Sequence, residues 1–335
     1  MHSVPHVLHA GVGYLGKTLR IAWNVLTLSE TAYRYPARAR ELVRHWLFVR
    51  HRNSRLARSC GRLVYERKRA RQARQPDAEH TYFLRNHVQF EMLRDITLGW
   101  SAAALRVASI GCSTGAELYS ALWTIRRARP ELHVVGTGAD ISTGALESAR
   151  SRRYARAGRE VQRLGAGQIE DLIHGGLFEP RRGTLVVQPW VAEGARWLEA
   201  DVLDPSLPDR LGDQDIVFAN NILCHFSDSD AEAALTNIAR LLAPGGYLFM
   251  YCVDLDVKSR AVRALGLAPV LDRLEELYEG DEYALRRWPV MYWAPEPIDR
   301  TRPEWTTRYA TLFRNAAHPW HGTERRGRPP PARQR

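Results

Sequence analysis

From residue 106 the chain reads Arg-Val-Ala-Ser-Ile-Gly-Cys-Ser-Thr-Gly-Ala-Glu117, a short apolar run that turns at two glycines and opens into helix-favouring sequence. A buried strand that passes through a tight turn straight into a helix belongs to a parallel sheet, whose strands can be joined only by crossovers. The same rhythm predicts strands over 105–110, 133–138, 197–200, 215–219 and 247–253, with helices over 117–129, 143–152 and 228–242 between them. The first helix is stopped by Pro130. This pattern gives an open, doubly wound α/β sheet. The stretch 183–197 breaks the rhythm, with β-like 184–188 followed by Pro189, and is read as an inserted hairpin.

In an open α/β sheet the ligand crevice lies beyond the carboxyl ends of the strands. The glycine turn sits there, and Gly111 and Gly115, with Ser113 between them, allow the backbone to approach a ligand closely. Their spacing lacks the full GxGxxG of a dinucleotide fingerprint. Glu117 at the helix start would repel a phosphate and suits an ammonium, sulfonium or ribose hydroxyl. Further polar residues follow at successive strand ends. Asp140 after the second strand can accept both hydroxyls of a ribose or cap the next helix. Asp201 after the third is placed to face an adenine amino group, and Asn220 and Asn221 after the fourth supply donors and acceptors.

Taken together, these segments resemble the chemotaxis receptor methyltransferase (CheR) family. The resemblance is carried by Thr81-Tyr-Phe-Leu-Arg85 with Phe90 and Leu93, by 106–120, by Ala139-Asp140-Ile141, Tyr154 and Asp201-Val-Leu203, by 215–226 and by 242–248. It implies a Rossmann-like methyltransferase sheet and S-adenosylmethionine as cofactor. It also implies that Thr81 and Arg85 reach the cofactor's methionine end, that Glu117, Asp140, Asp201 and Asn221 line its site, and that the hairpin helps dock a receptor. Two features depart from the family pattern, the motif over 220–226 and the region after 255, whose Trp288, Tyr292, Trp293 and Trp305 have no evident counterpart. Asn220 stands where relatives carry Arg, and His225 stands where they carry a Tyr near the transferred methyl. Arg85 and His225 are therefore the residues expected beside the chemistry.

Methyl transfer from a sulfonium is an in-line displacement in which alignment does most of the work. A carboxylate acceptor is ionised at neutral pH and needs no base, whereas a hydroxyl or amine does, and His225 is either that base or a satisfied pocket histidine. The resemblance implies a carboxylate acceptor, on a protein glutamate or another acid. The alternatives are O- or N-methylation of a small molecule or saccharide, and a non-catalytic binding protein on this fold.

Charge divides the rest of the chain. Residues 1–75 hold 16 Lys/Arg against 3 acids and 321–335 hold 5 against 1, leaving 76–320 at about −6. The organisation expected is a basic helical region over 1–79, the catalytic domain over 80–255, an extension over 256–321 that completes or flanks it, and a disordered basic tail over 322–335. Helices are expected over 36–74 and a strand over 287–293. The basic arm is either the solvated face of packed helices or a docking surface for an acidic partner, RNA or an anionic membrane. Four cysteines, Cys60, Cys112, Cys224 and Cys252, lie far apart without a CxxC pair, so neither a disulfide framework nor a zinc site is indicated, and a reducing cytoplasm is expected. His2, His6 and His9 are not read as a metal site, and no signal peptide or transmembrane segment is predicted.

Overall fold

The computed structural model describes residues 81–281 and 296–316. The helices expected over 36–74, the strand over 287–293 and the tail over 322–335 lie outside them. Alternating β and α segments assemble a seven-stranded sheet in the order β6-β2-β1-β7-β8-β10-β9. Its strands are β1 (Ala104–Ile110), β2 (His133–Asp140), β6 (Ala195–Glu199), β7 (Gln214–Asn220), β8 (Leu242–Tyr251), β9 (Leu267–Pro269) and β10 (Leu312–Asn315). The first five are parallel, and β10 runs antiparallel between β8 and β9.

Both faces of the sheet are covered, so the central strands are apolar in both directions. In β1, Leu105 and Val107 face one core and Ala108 and Ile110 the other, and β7 divides Ile216 and Phe218 from Val217 and Ala219 in the same way. The first core is capped by α1 (His87–Leu98) and α2 (Ala116–Ala128), through residues such as Phe90, Leu93, Leu118 and Leu122. The second is capped by α7 (Asp228–Leu241) and α8 (Leu255–Ala264), through Leu235, Ile238 and Val262. Between β2 and the rest of the parallel sheet come α3 (Thr143–Ser151), α4 (Ala166–His174) and the single turn α5 (Pro189–Ala192). The short α6 (Leu207–Leu211) precedes β7, and α9 (Leu274–Glu279) and α10 (Trp305–Tyr309) follow β9. No helix among the described residues is long and apolar enough to cross a membrane.

The insertion differs from its sequence expectation. A small antiparallel sheet of order β3-β5-β4 is built from β3 (Arg153–Ala155), β4 (Phe178–Arg181) and β5 (Thr184–Val187). The hairpin therefore spans 178–187 rather than 183–197. Pro189 starts a helical turn, and 195–199 is taken by the main sheet, where it pairs with β2. Trp197 of β6 packs closely against this pairing. A Cβ on Gly115 would lie 2.4 Å from its ring and one on Gly138 2.5 Å, so only a bare backbone on α2's cap and on β2 accommodates the indole.

Candidate active site at the carboxyl ends of the strands

A cavity of about 610 Å³ opens where β1, β2, β6, β7 and β8 end, walled on the far side by the segment that enters α1 and by Asp281. Among the described residues, the non-glycine positions with left-handed backbone include Leu84, Ser113, Asn221 and Cys252, with φ of 48°, 49°, 60° and 56°. Ser113 and Asn221 line the cavity, and the other two adjoin its lining residues Arg85 and Tyr251. Such strain persists only where surrounding structure fixes it, and it concentrates at functional sites.

The glycine loop divides its two glycines between separate tasks. Gly111 lines the cavity at φ 70°, and a Cβ there would meet Ile222 at 2.7 Å. Gly115, expected to contact the ligand, does not line the cavity; at φ 84° it caps α2 and receives Trp197 and Ala149 from behind. Ser113 donates its backbone N–H to Asp140 Oδ2 at 2.7 Å, while Asp140 Oδ1 accepts the N–H of Ser142 at 2.9 Å. Asp140 thus ties the ends of β1 and β2 together while facing the cavity. The Ser113 hydroxyl is buried and has no hydrogen-bond partner among the described residues.

Glu117 is the most enclosed carboxylate of the site. Its Oε1 accepts from the Ser109 hydroxyl at 2.7 Å and its Oε2 from Asn220 Nδ2 at 2.7 Å. Asn220 Nδ2 is also 2.9 Å from Oε1 of Gln89 on α1, which is buried. Burial raises the Glu117 pKa above the ordinary range, and the bonds from Asn220 and Ser109, together with the Arg85 charge, offset part of the rise. Asn220 is thus locked to Glu117 and to α1.

Asp201, past the end of β6, lines the outer cavity with Oδ1 accepting the Leu203 N–H at 2.8 Å. Thr81 also lines the wall. Arg85 Nε donates to buried Asp281 at 3.0 Å, and Arg163 reaches the same carboxylate at 3.5 Å. Both guanidiniums lie over the Tyr82 ring, at 5.3 and 3.9 Å from its centroid. Asn221 follows β7 and donates its N–H to the Tyr251 carbonyl at 2.9 Å. His225 ends a one-turn helix, Leu223–His225, and is exposed at the cavity mouth rather than enclosed in it.

Sequence reasoning missed Gln89, Tyr82, Tyr251 and Asp281. Gln89 left one signal, a polar side chain beside Val88, Phe90, Met92 and Leu93, all buried. Asp281 left none, since its partner Arg85 is 196 residues away.

The model of the CheR methyltransferase SAM-binding domain matches residues 79–251, a span ending on the last residue of β8 and holding every strand-end residue described above. The chain belongs to the CheR methyltransferase family. S-adenosylmethionine is the cofactor of that domain. The CheR domain is 27% identical over 179 residues to chemotaxis protein methyltransferase 2 of Vibrio cholerae serotype O1, covering 51% of this chain and 60% of the relative. It is 30% identical over 192 residues to a probable biofilm formation methyltransferase, WspC, of Pseudomonas putida, covering 56% and 43%. With chemotaxis protein methyltransferase 1 of Pseudomonas aeruginosa it shares 27% over 183 residues, covering 51% and 64%. The chain therefore spans less than two thirds of the length of each of these relatives.

Proposed function

We propose that this protein is an S-adenosylmethionine-dependent methyltransferase acting on a carboxylate, of a protein glutamate or another acid. The residues of the cavity suit that cofactor. Asp140 and Asp201 offer acceptors for ribose hydroxyls and an adenine amino group, Glu117 offers a counter-charge for an ammonium, and Thr81 and Arg85 would hold the methionine end. When bound, the cofactor supplies an electrophilic methyl on a sulfonium. What the chain adds is alignment and exclusion of water, with the Glu117–Asn220–Gln89 chain fixing the wall.

One observation carries the choice of acceptor. Each carboxylate lining the cavity already accepts hydrogen bonds from the protein: Glu117 from two side chains, Asp140 from two backbone N–H groups, Asp201 from one, and Asp281 from Arg85. A wall so engaged favours an acceptor that arrives ionised and needs no base. The second reading rests on His225, which lines the mouth and can take a proton from a hydroxyl or amine.

The hairpin tip, exposed at Arg181 and Arg182, and the basic arm would dock an acidic partner, and the setting would be cytoplasmic. Labelled methyl transfer into cell extract, followed by mild alkali, tests the acceptor. Esters release methanol, whereas ethers and methylamines hold the label. A carboxylate acceptor also predicts a rate flat across about pH 6–8 and an active His225→Tyr enzyme, while the base reading predicts a rate climbing through ~6.5 and a loss of roughly 10²–10⁴-fold in His225→Ala.

A further inference from the structure

The glycine turn is held from outside the main sheet as well as from within it. Thr114 stands between Ser113, which lines the cavity with left-handed backbone at φ 49°, and Gly115, which caps α2 at φ 84°. Its carbonyl accepts the Tyr154 hydroxyl at 2.6 Å, and its own hydroxyl donates to Glu160 Oε1 at 3.1 Å. Tyr154 belongs to β3 of the small antiparallel sheet, and Glu160 lies in the segment that leads from β3 to α4. Both partners therefore come from the insertion, 40 and 46 residues further along the chain.

The same segment grips the opposite wall. The Glu160 carbonyl accepts the Phe83 N–H at 3.0 Å, next to Tyr82, which lines the cavity, and to Leu84, at φ 48°. The Phe83 ring packs edge-on against Tyr154 and Phe178, with centroids 4.8 and 4.7 Å apart. Glu160 thus joins the glycine turn, through its side chain, to the entry of α1, through its carbonyl. The segment is itself fixed: the Gly158 N–H bonds the Ala155 carbonyl at 2.8 Å, the Leu164 N–H that of Val161 at 2.9 Å, and Val161 is buried in the first core. A non-glycine residue keeps a left-handed backbone only where its surroundings over-determine it. For Ser113 the fixing bonds are its own N–H to Asp140 on one side and the two on Thr114 on the other.

We infer that Tyr154 and Glu160 are positioning residues for the cofactor, acting through Thr114 on the glycine turn, so that the inserted subdomain is part of the S-adenosylmethionine site. The inference rests on the cofactor assignment and concerns three residues that do not themselves line the cavity. Its test is calorimetry with S-adenosylhomocysteine, beside urea unfolding of each variant. Thr114→Val removes the hydroxyl at nearly constant volume and should weaken binding roughly 2–10-fold, the range for one hydrogen bond. Thr114→Ser keeps the hydroxyl and should bind like the wild type. Glu160→Ala should match Thr114→Val, and Glu160→Gln, whose amide oxygen can accept the same bond, should recover most of the affinity. Since both changes break one shared bond, Thr114→Val and Glu160→Ala combined should bind no more weakly than either alone. Tyr154→Phe, which keeps the ring, should add a separate loss. Full affinity in Thr114→Val and Tyr154→Phe, with only the unfolding midpoints lowered, would overturn the inference and leave the insertion a support of the fold. A Thr114→Ser protein as weak as Thr114→Val would overturn it as well, since the methyl and not the hydroxyl would then hold the turn. A wild-type protein that does not bind S-adenosylhomocysteine rejects the cofactor assignment and the inference with it, an outcome distinct from failure of the variants alone.

Discussion

At the scale of single residues, Glu117 shows how one position can be both legible and altered by its surroundings. Its place at the start of α2 follows from the local pattern, whereas its raised pKa comes from burial, which the hydrogen bonds from Asn220 and Ser109 only partly offset. A carboxyl that holds its proton to a higher pH than usual loses, on acidification, the charge that would face an ammonium. Affinity for S-adenosylhomocysteine should therefore fall with decreasing pH sooner than an ordinary glutamate predicts. Glu117→Gln should bind weakly and lack that pH dependence; calorimetry across a pH series checks both. A wild-type affinity that stays flat into the acid range would show that Glu117 does not face the ligand's charge.

The glycine turn and the strand behind it are the element that couples site to scaffold. Gly115 has a backbone conformation that L residues rarely adopt, and any Cβ there strikes the Trp197 ring. Gly115→Ala should lose about 2–4 kcal/mol, combining left-handed strain with overpacking. In a Trp197→Leu background the same change should lose less, because the steric part is relieved and the backbone part remains. Urea unfolding of the four proteins measures the coupling, and strict additivity would show that the indole is not the obstacle. The sequence carried the two glycines but not their division of labour. Spacing alone cannot tell a backbone that faces a ligand from one that faces a tryptophan on a strand 80 residues later.

For the whole molecule, the decisive feature is the return of the chain to the sheet after 296. Arg308 is buried against Glu296 at 2.9 Å and reaches Asp256 at 2.5 Å, and the Tyr309 hydroxyl donates to Glu296 at 2.8 Å. Lys258 on α8, 1% exposed, donates to the Ala310 carbonyl at 2.6 Å just before β10 inserts between β8 and β9. Burial, with the nearby Arg308 charge, lowers the Lys258 pKa to about 7 against the opposing pull of Glu296 and Cys252. The unfolded chain keeps that proton to about pH 10.4, so between the two values it binds more protons than the folded protein. The Lys258 contribution to stability should rise with pH from 7 toward 10 and be lowest below 7. Lys258→Met should flatten that slope in denaturation midpoints taken across the range; an unaltered slope would mean that the amine is not held neutral.

The sequence by itself determined the parallel sheet, the reading direction of its crossovers and the polar residues at its strand ends, because strand and helix periods are local and a parallel sheet delivers all carboxyl ends to one edge. Only the tertiary structure decided what those ends meet. It paired Arg85 with Asp281, set Gln89 against Asn220, put His225 at the rim and placed β10 inside the sheet. Each of these depends on segments far apart in the chain, brought together by burial of two cores on opposite faces of the sheet, and no local pattern encodes which distant side chain will fill a given gap.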